Sequence, residues 1–337
     1  MAIIVTGVAG FIGSHVAKIL LARGDDVVGI DMVNDYYSVE LKEARLVEIE
    51  KIAKQHHSRF TFLKLDFSDF DSLKCELDKL NINKAVHLGA QAGVRYSLTN
   101  PFVYAQSNLI GHLNMMEYCR HTEGFEHLVY ASSSSVYGGN KNMPFSVDDR
   151  VDNPVSLYAA TKKADELMSQ SYAHLYRMPQ TGLRFFTVYG PWGRPDMAMW
   201  IFTKKILAGE PIPVFNHGDM LRDFTYIDDI VDGVIKCLDN PPKDDGTMHT
   251  VGSNAPHRVY NIGNNNTVSL LHMIKVLEEA LGKKAEMEML PIQPGDVKET
   301  AADISAISKD LGFAPTTKIE QGIPKFVHWY KNYHKIN

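Results

Sequence analysis

Through the first 187 residues, short apolar runs alternate with longer stretches in which apolar positions recur every three or four residues. The runs at 2–6, 26–31, 59–65, 84–88 and 127–131 are rich in Val, Ile, Leu and Phe and too short for independent helices, so they predict strands. Between them the spacing predicts helices over 11–23, 39–55, 69–80 and 102–121. Strand–helix alternation of this kind implies an α/β fold: a doubly wound parallel sheet (a Rossmann arrangement) with helices on both faces. Right-handed crossovers then bring the C-terminal strand ends to one edge, where open α/β sheets bind ligands. The helix at 39–55, with Leu41, Ala44, Leu46, Ile49 and Ile52 on one side, is expected only to pack.

A further helix is predicted over 156–176 and a strand over 180–186. The punctuation then changes, with Pro191, Pro195, Pro211, Pro213, Pro241, Pro242, Pro256, Pro291 and Pro294 separating short helices at 199–207, 227–238, 270–281 and 319–330. A smaller mixed α/β C-terminal lobe is the expectation. Residues 1–187 would form the Rossmann domain, with 225–245 and 258–282 packing back onto it, and 188–224 with 283–337 the second lobe.

Composition narrows the class. At 337 residues with 45% hydrophobic and 22% charged content, the chain reads as globular. A net charge of −5 without a basic run argues against nucleic acid as a partner. No apolar run reaches the length of a membrane span, and Ile3-Ile4-Val5 is not preceded by a basic region and cleavage pattern. Cys75, Cys119 and Cys237 are widely spaced and form no metal-binding pattern. The expectation is a cytoplasmic protein with buried or partly buried free thiols, no metal and no membrane attachment.

The first chemical signal is Gly7-Val8-Ala9-Gly10-Phe11-Ile12-Gly13, directly after the first strand and opening the first helix. Glycines there allow a tight turn and let backbone amides approach a pyrophosphate. Asp31, ending the second strand, can accept hydrogen bonds from the adenosine ribose, and its charge disfavours a 2′-phosphate. Met32-Val33 offers no arginine to offset it, so NAD is expected rather than NADP. Asp66 and Phe67 would lie beside the adenine, and the small-residue turn Leu88-Gly89-Ala90-Gln91-Ala92-Gly93 would line the cofactor's other side.

The second signal is Tyr158-x-x-x-Lys162, which puts a phenol and an ammonium one helical turn apart. It follows a strand ending in Ala131-Ser132-Ser133-Ser134-Ser135-Val136-Tyr137-Gly138, at the same sheet edge as the glycine turn. Hydride removal from a carbinol carbon needs a base for the hydroxyl proton. A free tyrosine, with a pKa of about 10, needs cationic neighbours to serve near neutrality; an ammonium and a nicotinamide ring supply them. Ser133 can orient the same hydroxyl, and Lys162 can also hold the nicotinamide ribose.

These motifs, with Leu183-Arg184-Phe185-Phe186-Thr187-Val188-Tyr189-Gly190-Pro191, resemble the extended short-chain dehydrogenase/reductases. More narrowly, Gln91 to Ser97, Ser132 to Gly138, Gly190 to Ala198, Arg222 to Asp229 and Gln293 to Val297 resemble the bacterial UDP-glucuronate 4-epimerases. The resemblance implies a redox-neutral reaction with tightly held NAD. Tyr158 would deprotonate the 4-hydroxyl, the 4-keto sugar would swing about its diphosphate, and UDP-glucuronate would become UDP-galacturonate. It also implies that Ser133 is the catalytic hydroxyl, that Ser134, Ser135 and Thr187 hold the sugar carboxylate, and that Arg194 and Arg222 clamp diphosphate or uronate. Asp296 would contact ribose, Phe215 would neighbour uracil, Arg95 would be a polar substrate contact and Asn108 would sit near the nicotinamide. Helices 102–121 and 156–176 would form a four-helix homodimer interface. Against the family pattern, Gly89 stands for alanine and Met32 for asparagine; the first is expected to be harmless, the second to cost one ribose contact.

The resemblance leaves rivals. A 4-keto uronate can lose carbon dioxide, but decarboxylases and 4,6-dehydratases of this superfamily carry an acidic residue where Ser135 stands. A neutral UDP-sugar epimerase would have asparagine in place of Thr187. A non-catalytic NAD-binding regulator would be expected to have lost Tyr158 or Lys162, and both remain.

Overall fold

The structure, a computed structural model, describes residues 1–248, 253–293 and 297–336. Its core is a seven-stranded sheet. The strands β1 (Ala2–Thr6), β2 (Asp26–Ile30), β3 (Phe60–Leu63), β4 (Ile82–His87), β5 (His127–Ser133) and β6 (Gln180–Phe185) lie in the order β6-β5-β4-β1-β2-β3, and His257–Ile262 adds an edge strand beside β6. Every neighbouring pair is parallel. With helices on both faces the inner strands are dry on both sides, which is why Ile3-Ile4-Val5 and Leu128-Val129-Tyr130 run as continuous apolar stretches. Strand order reverses between β1 and β4, which opens a crevice above their C-terminal ends.

The sheet is covered by α1 (Phe11–Arg23), α2 (Val39–His56), α3 (Phe70–Leu77), α4 (Gly111–His121) and α5 (Leu157–Tyr176). Gly24 ends α1 in the left-handed conformation, and Ser156 caps α5 by accepting from the Ala159 amide. Two of these helices differ from the expectation. The predicted 102–121 helix is broken into Pro101–Tyr104, a π-helical turn at Ala105–Ile110, and α4. The α2 helix does more than pack: its buried face carries Lys42 and Arg45 beside Leu41 and Ile49.

The seventh strand escaped the sequence pattern because buried polar residues interrupt it. His257 bonds the Tyr130 hydroxyl at 2.9 Å, and the Asn261 amide donates to the Phe145 carbonyl at 2.7 Å. Beyond β6, Thr187–Tyr189 pairs with Leu221–Tyr226, which also pairs with Thr267–Ser269, while Ile212–Phe215 pairs with Met287–Leu290. Helix Ile227–Asp239 packs on α1 and β5. Helix Leu270–Leu281 packs instead on Ile319–Tyr333, where Trp200, Phe326, Trp329 and Tyr330 cluster. Cys119 and Cys237 are buried, but Cys75 is exposed, not covered as expected. Among the described residues, no helix is long and apolar enough to cross a membrane.

Candidate active site

The glycine turn is dictated by backbone crowding. Gly7 has φ +65°, and a Cβ there would lie 2.9 Å from the Gly89 backbone; a Cβ on Gly13 would lie 2.2 Å from the Gly7 carbonyl oxygen. Gly10 heads α1 with no capping side chain, so the helix presents bare amides and the positive end of its dipole to the crevice. Asp31 braces the turn, accepting the Ala9 amide at 3.1 Å and the Val33 amide at 2.8 Å. Burial pushes its carboxyl upward, opposed by the Val33 amide and the Lys42 ammonium. A close-approach turn, uncapped amides and a braced carboxylate fit an adenine dinucleotide.

One cleft collects most of the predicted residues. Gly7, Gly10, Phe11, Ile12, Gly13, Asp31, Asp66, Phe67, Leu88, Ala90 and Ala92 line it, together with Ser133, Tyr158, Lys162 and Arg194. Tyr158 lies edge-on to Tyr104, with ring centroids 6.0 Å apart. Lys162 is buried, its Nζ donating to the Ala131 carbonyl at 3.0 Å and to Asp165 Oδ2 at 3.0 Å. Burial pushes the Asp165 carboxyl up to about 6, with the Lys162 ammonium holding it back. Behind them, burial would raise Glu166, but the Arg184 guanidinium bonded to it wins and holds it at about 2. Glu166 also accepts from Ser132 Oγ at 2.6 Å, which ties the serine end of β5 to the helix bearing Tyr158.

Not all of the candidate residues line this cleft. Asn108 is buried and does not line the cleft; its Oδ1 accepts the Gln91 amide at 2.8 Å, and its Nδ2 donates to the Gln91 carbonyl and to Thr161 Oγ1. Its amide is saturated by protein partners, so it shapes the Gln91 turn from behind. Ser133 Oγ accepts the Ser135 amide at 3.2 Å, while Ser134 and Ser135 turn into a 3-10 turn outside the cleft wall. Thr187 opens on a small adjoining cavity that shares Val188, Arg194 and Met197 with the main one. Arg194 is bonded to Asp196 at 3.0 Å through Nε, and Nη2 lies 2.5 Å from the same carboxylate. Arg222 donates to the carbonyls of Leu221, Val297 and Lys298, not to Asp223, whose oxygens take the amides of Asn264, Asn265 and Ala302. Arg95 lies 5.3 Å from the Phe215 ring, a meeting of two residues far apart in sequence, but neither lines the main cleft. Asp296 lies outside the described residues.

Sequence reasoning missed polar groups at the cofactor edge. Asn34, Tyr36 and Lys42 line the cleft, with Lys42 Nζ bonded to Asn34 Oδ1 at 2.6 Å, so a cation does stand near Asp31 beside the exposed Met32. The available signal was a basic residue on the inward side of α2. At Gly89 a Cβ would meet Phe67 Cε1 at 2.6 Å, so the Phe67 ring fills the place that alanine's methyl would take.

The sequence pattern of the GDP-mannose 4,6 dehydratase family matches residues 4–326. The chain belongs to this family of nucleotide-sugar enzymes, a branch of the extended short-chain dehydrogenase/reductases. Within it, the chain is 45% identical over 336 residues to UDP-glucuronate 4-epimerase 4 of Arabidopsis thaliana, covering 98% of this chain and 76% of that protein. Protein CapI of Staphylococcus aureus is 49% identical over 340 residues, covering 99% of this chain and 100% of CapI. The UDP-glucuronic acid 4-epimerase of Bacillus cereus, solved with UDP-glucuronic acid and NAD, superposes with a TM-score of 0.86 at 34% identity, covering 99% of this chain and 100% of that one.

Proposed function

We propose that this protein interconverts UDP-glucuronate and UDP-galacturonate by NAD-dependent 4-epimerisation, with Tyr158 taking and returning the proton of the 4-hydroxyl. The observation that carries the reading is that the glycine turn, Asp31, Tyr158, Lys162 and Arg194 line a single cleft. The kinship with UDP-glucuronate 4-epimerases supports the substrate.

The turn at Gly7–Gly13 would hold the dinucleotide's pyrophosphate and Asp31 its adenosine ribose. Bound NAD supplies a reversible hydride acceptor for the sugar's C4. Tyr158, facing the cleft from α5, accepts the 4-hydroxyl proton as the carbon is oxidised and gives it back after the 4-keto sugar has presented its other face. Lys162 is fixed by Ala131 and Asp165, leaving one N–H for the phenol or the nicotinamide ribose. Ser133, with its lone pair engaged by the Ser135 amide, keeps its O–H available to the sugar oxygen. Arg194, Arg222, Phe215 and Asp296, in a lobe of 188–224 and 283–337, belong to the diphosphate, uronate and uridine end, with Arg95 meeting Phe215 from the Rossmann domain. Thr187, with Ser134 and Ser135, would take the carboxylate.

The apolar residues Leu98, Phe102, Leu157, Leu167 and Leu175 are exposed along the helices at 96–121 and α5, which supports a homodimer through those helices. The exposed Cys75 thiol, unpaired like the other two, fits the reducing cytoplasm. Incubation with UDP-glucuronate followed by mass and NMR analysis tests the reading. The expected product has unchanged mass and an axial 4-hydroxyl; loss of carbon dioxide as the main outcome refutes it.

A further inference from the structure

Arg45 on α2 is a buried cation, 1% exposed, that touches neither the phenol nor the ammonium of the reaction centre. Its hydrogen bonds are nevertheless complete. Nη1 donates to the Ala9 carbonyl at 2.8 Å and to the Tyr37 hydroxyl at 2.7 Å. Nη2 donates to the carbonyls of Trp192 at 2.7 Å and Gly193 at 3.1 Å, and Nε donates to Trp192 again at 3.2 Å. All five N–H groups of the planar fork are therefore used, on three segments distant in sequence.

The segments are the two halves of the cleft. Ala9 lies inside the glycine turn, and its amide is already held by Asp31. Trp192 and Gly193 lead directly into Arg194, which lines the cleft from the other lobe. Trp192 has φ +64°, a left-handed conformation costly for a bulky residue, and two of the five bonds fall on its carbonyl. Tyr37 is a wall of the same cleft. A buried guanidinium is expensive to place, and a packing role would be met by an apolar side chain such as Ile49 on the same face.

We propose that Arg45 is a positioning residue that couples the cofactor and substrate halves of the cleft. It holds the glycine turn and the Trp192–Arg194 loop in one register, so that filling the first half orders the second. The inference rests on the nucleotide-sugar reading above. By reciprocity, a nucleoside diphosphate on the Arg194 side must then strengthen retention of the dinucleotide.

The test uses purified holoenzyme and UDP, which lacks the sugar that would touch the nicotinamide. Loss of NAD after dilution is followed with and without saturating UDP. In the unaltered protein UDP is expected to slow that loss by about five-fold or more. Arg45→Lys keeps the charge but has three donors, and Arg45→Gln keeps two; neither reproduces the planar five-donor fork that spans both loops, and in whichever folds the slowing is expected to fall below about two-fold. The same variants should raise KM for UDP-glucuronate by roughly ten-fold while kcat stays within about three-fold. Ile49→Ala, a cavity on the same helix face, is the control for stability and should retain the UDP effect. Unchanged slowing by UDP in the Arg45 variants, or no slowing in the unaltered protein, overturns the proposal, as does equal loss in Ile49→Ala. An unaltered protein that fails to turn over UDP-glucuronate refutes the substrate, while the NAD-loss comparison still reads the coupling.

Discussion

The two halves of the cleft are built on different principles. In the half proposed for the cofactor, the lining comes from strand ends: the turn after β1, the Asp31 carboxylate just after β2, and the Leu88–Ala92 turn after β4. Their positions follow from sheet register, and the glycine requirement follows from atoms a few ångströms away. The residues proposed for the substrate end are long side chains, each already partnered and, apart from Arg194, set off the cleft wall: Arg194 with Asp196, Arg222 on the Leu221–Tyr226 strand with the Val297 and Lys298 carbonyls, Arg95 with Phe215. On the proposed reading, the first half receives an anion on free amides, while the second must exchange protein partners for ligand atoms. On that reading, rigid backbone would give lasting cofactor retention, and exchangeable side chains a product that can turn and leave.

That contrast sets the order of expected effects. Gly13→Ala pushes a methyl against the Gly7 carbonyl and should leave purified protein with no detectable NAD by extraction and absorbance, abolishing activity. Tyr158→Phe removes the proton acceptor and leaves both halves intact, so kcat should fall by about a thousand-fold with NAD content unchanged. Arg222→Ala touches only the exchangeable half, and KM for UDP-glucuronate should rise by roughly ten-fold at constant NAD occupancy. Gly89→Ala probes the packing beneath the cofactor turn: collision with Phe67 should cost about 1–3 kcal/mol in denaturant unfolding, recovered in large part by adding Phe67→Leu. Equal loss of NAD in Gly13→Ala and Arg222→Ala would erase the distinction between the halves.

Legibility in the sequence followed the same divide. The glycine turn, Asp31, Tyr158 and Lys162 could be read because each sits at a fixed offset from a strand or on one helix face, and all line one cleft. Six of seven strands of the sheet were readable as apolar runs; His257–Ile262 was hidden because its polar side chains are buried and bonded to Tyr130 and Phe145. The partners of Asn108 could not be read because nothing local in a helix announces a π-helical turn that aims an amide at the Gln91 turn. Lys42 and Arg45 were missed because an apolar periodicity was taken to define the whole face of α2, whereas their partners, Asn34, Ala9 and the 192–193 carbonyls, are brought there only by folding.

Turnover of UDP-glucuronate in deuterium oxide addresses the central claim most directly. If C4 is oxidised by the held cofactor while Tyr158 handles only the hydroxyl proton, the UDP-galacturonate formed retains protium at C4, and NMR should find no deuterium on that carbon. Deuterium at C4, or a product formed at the same rate by Tyr158→Phe, would contradict the account.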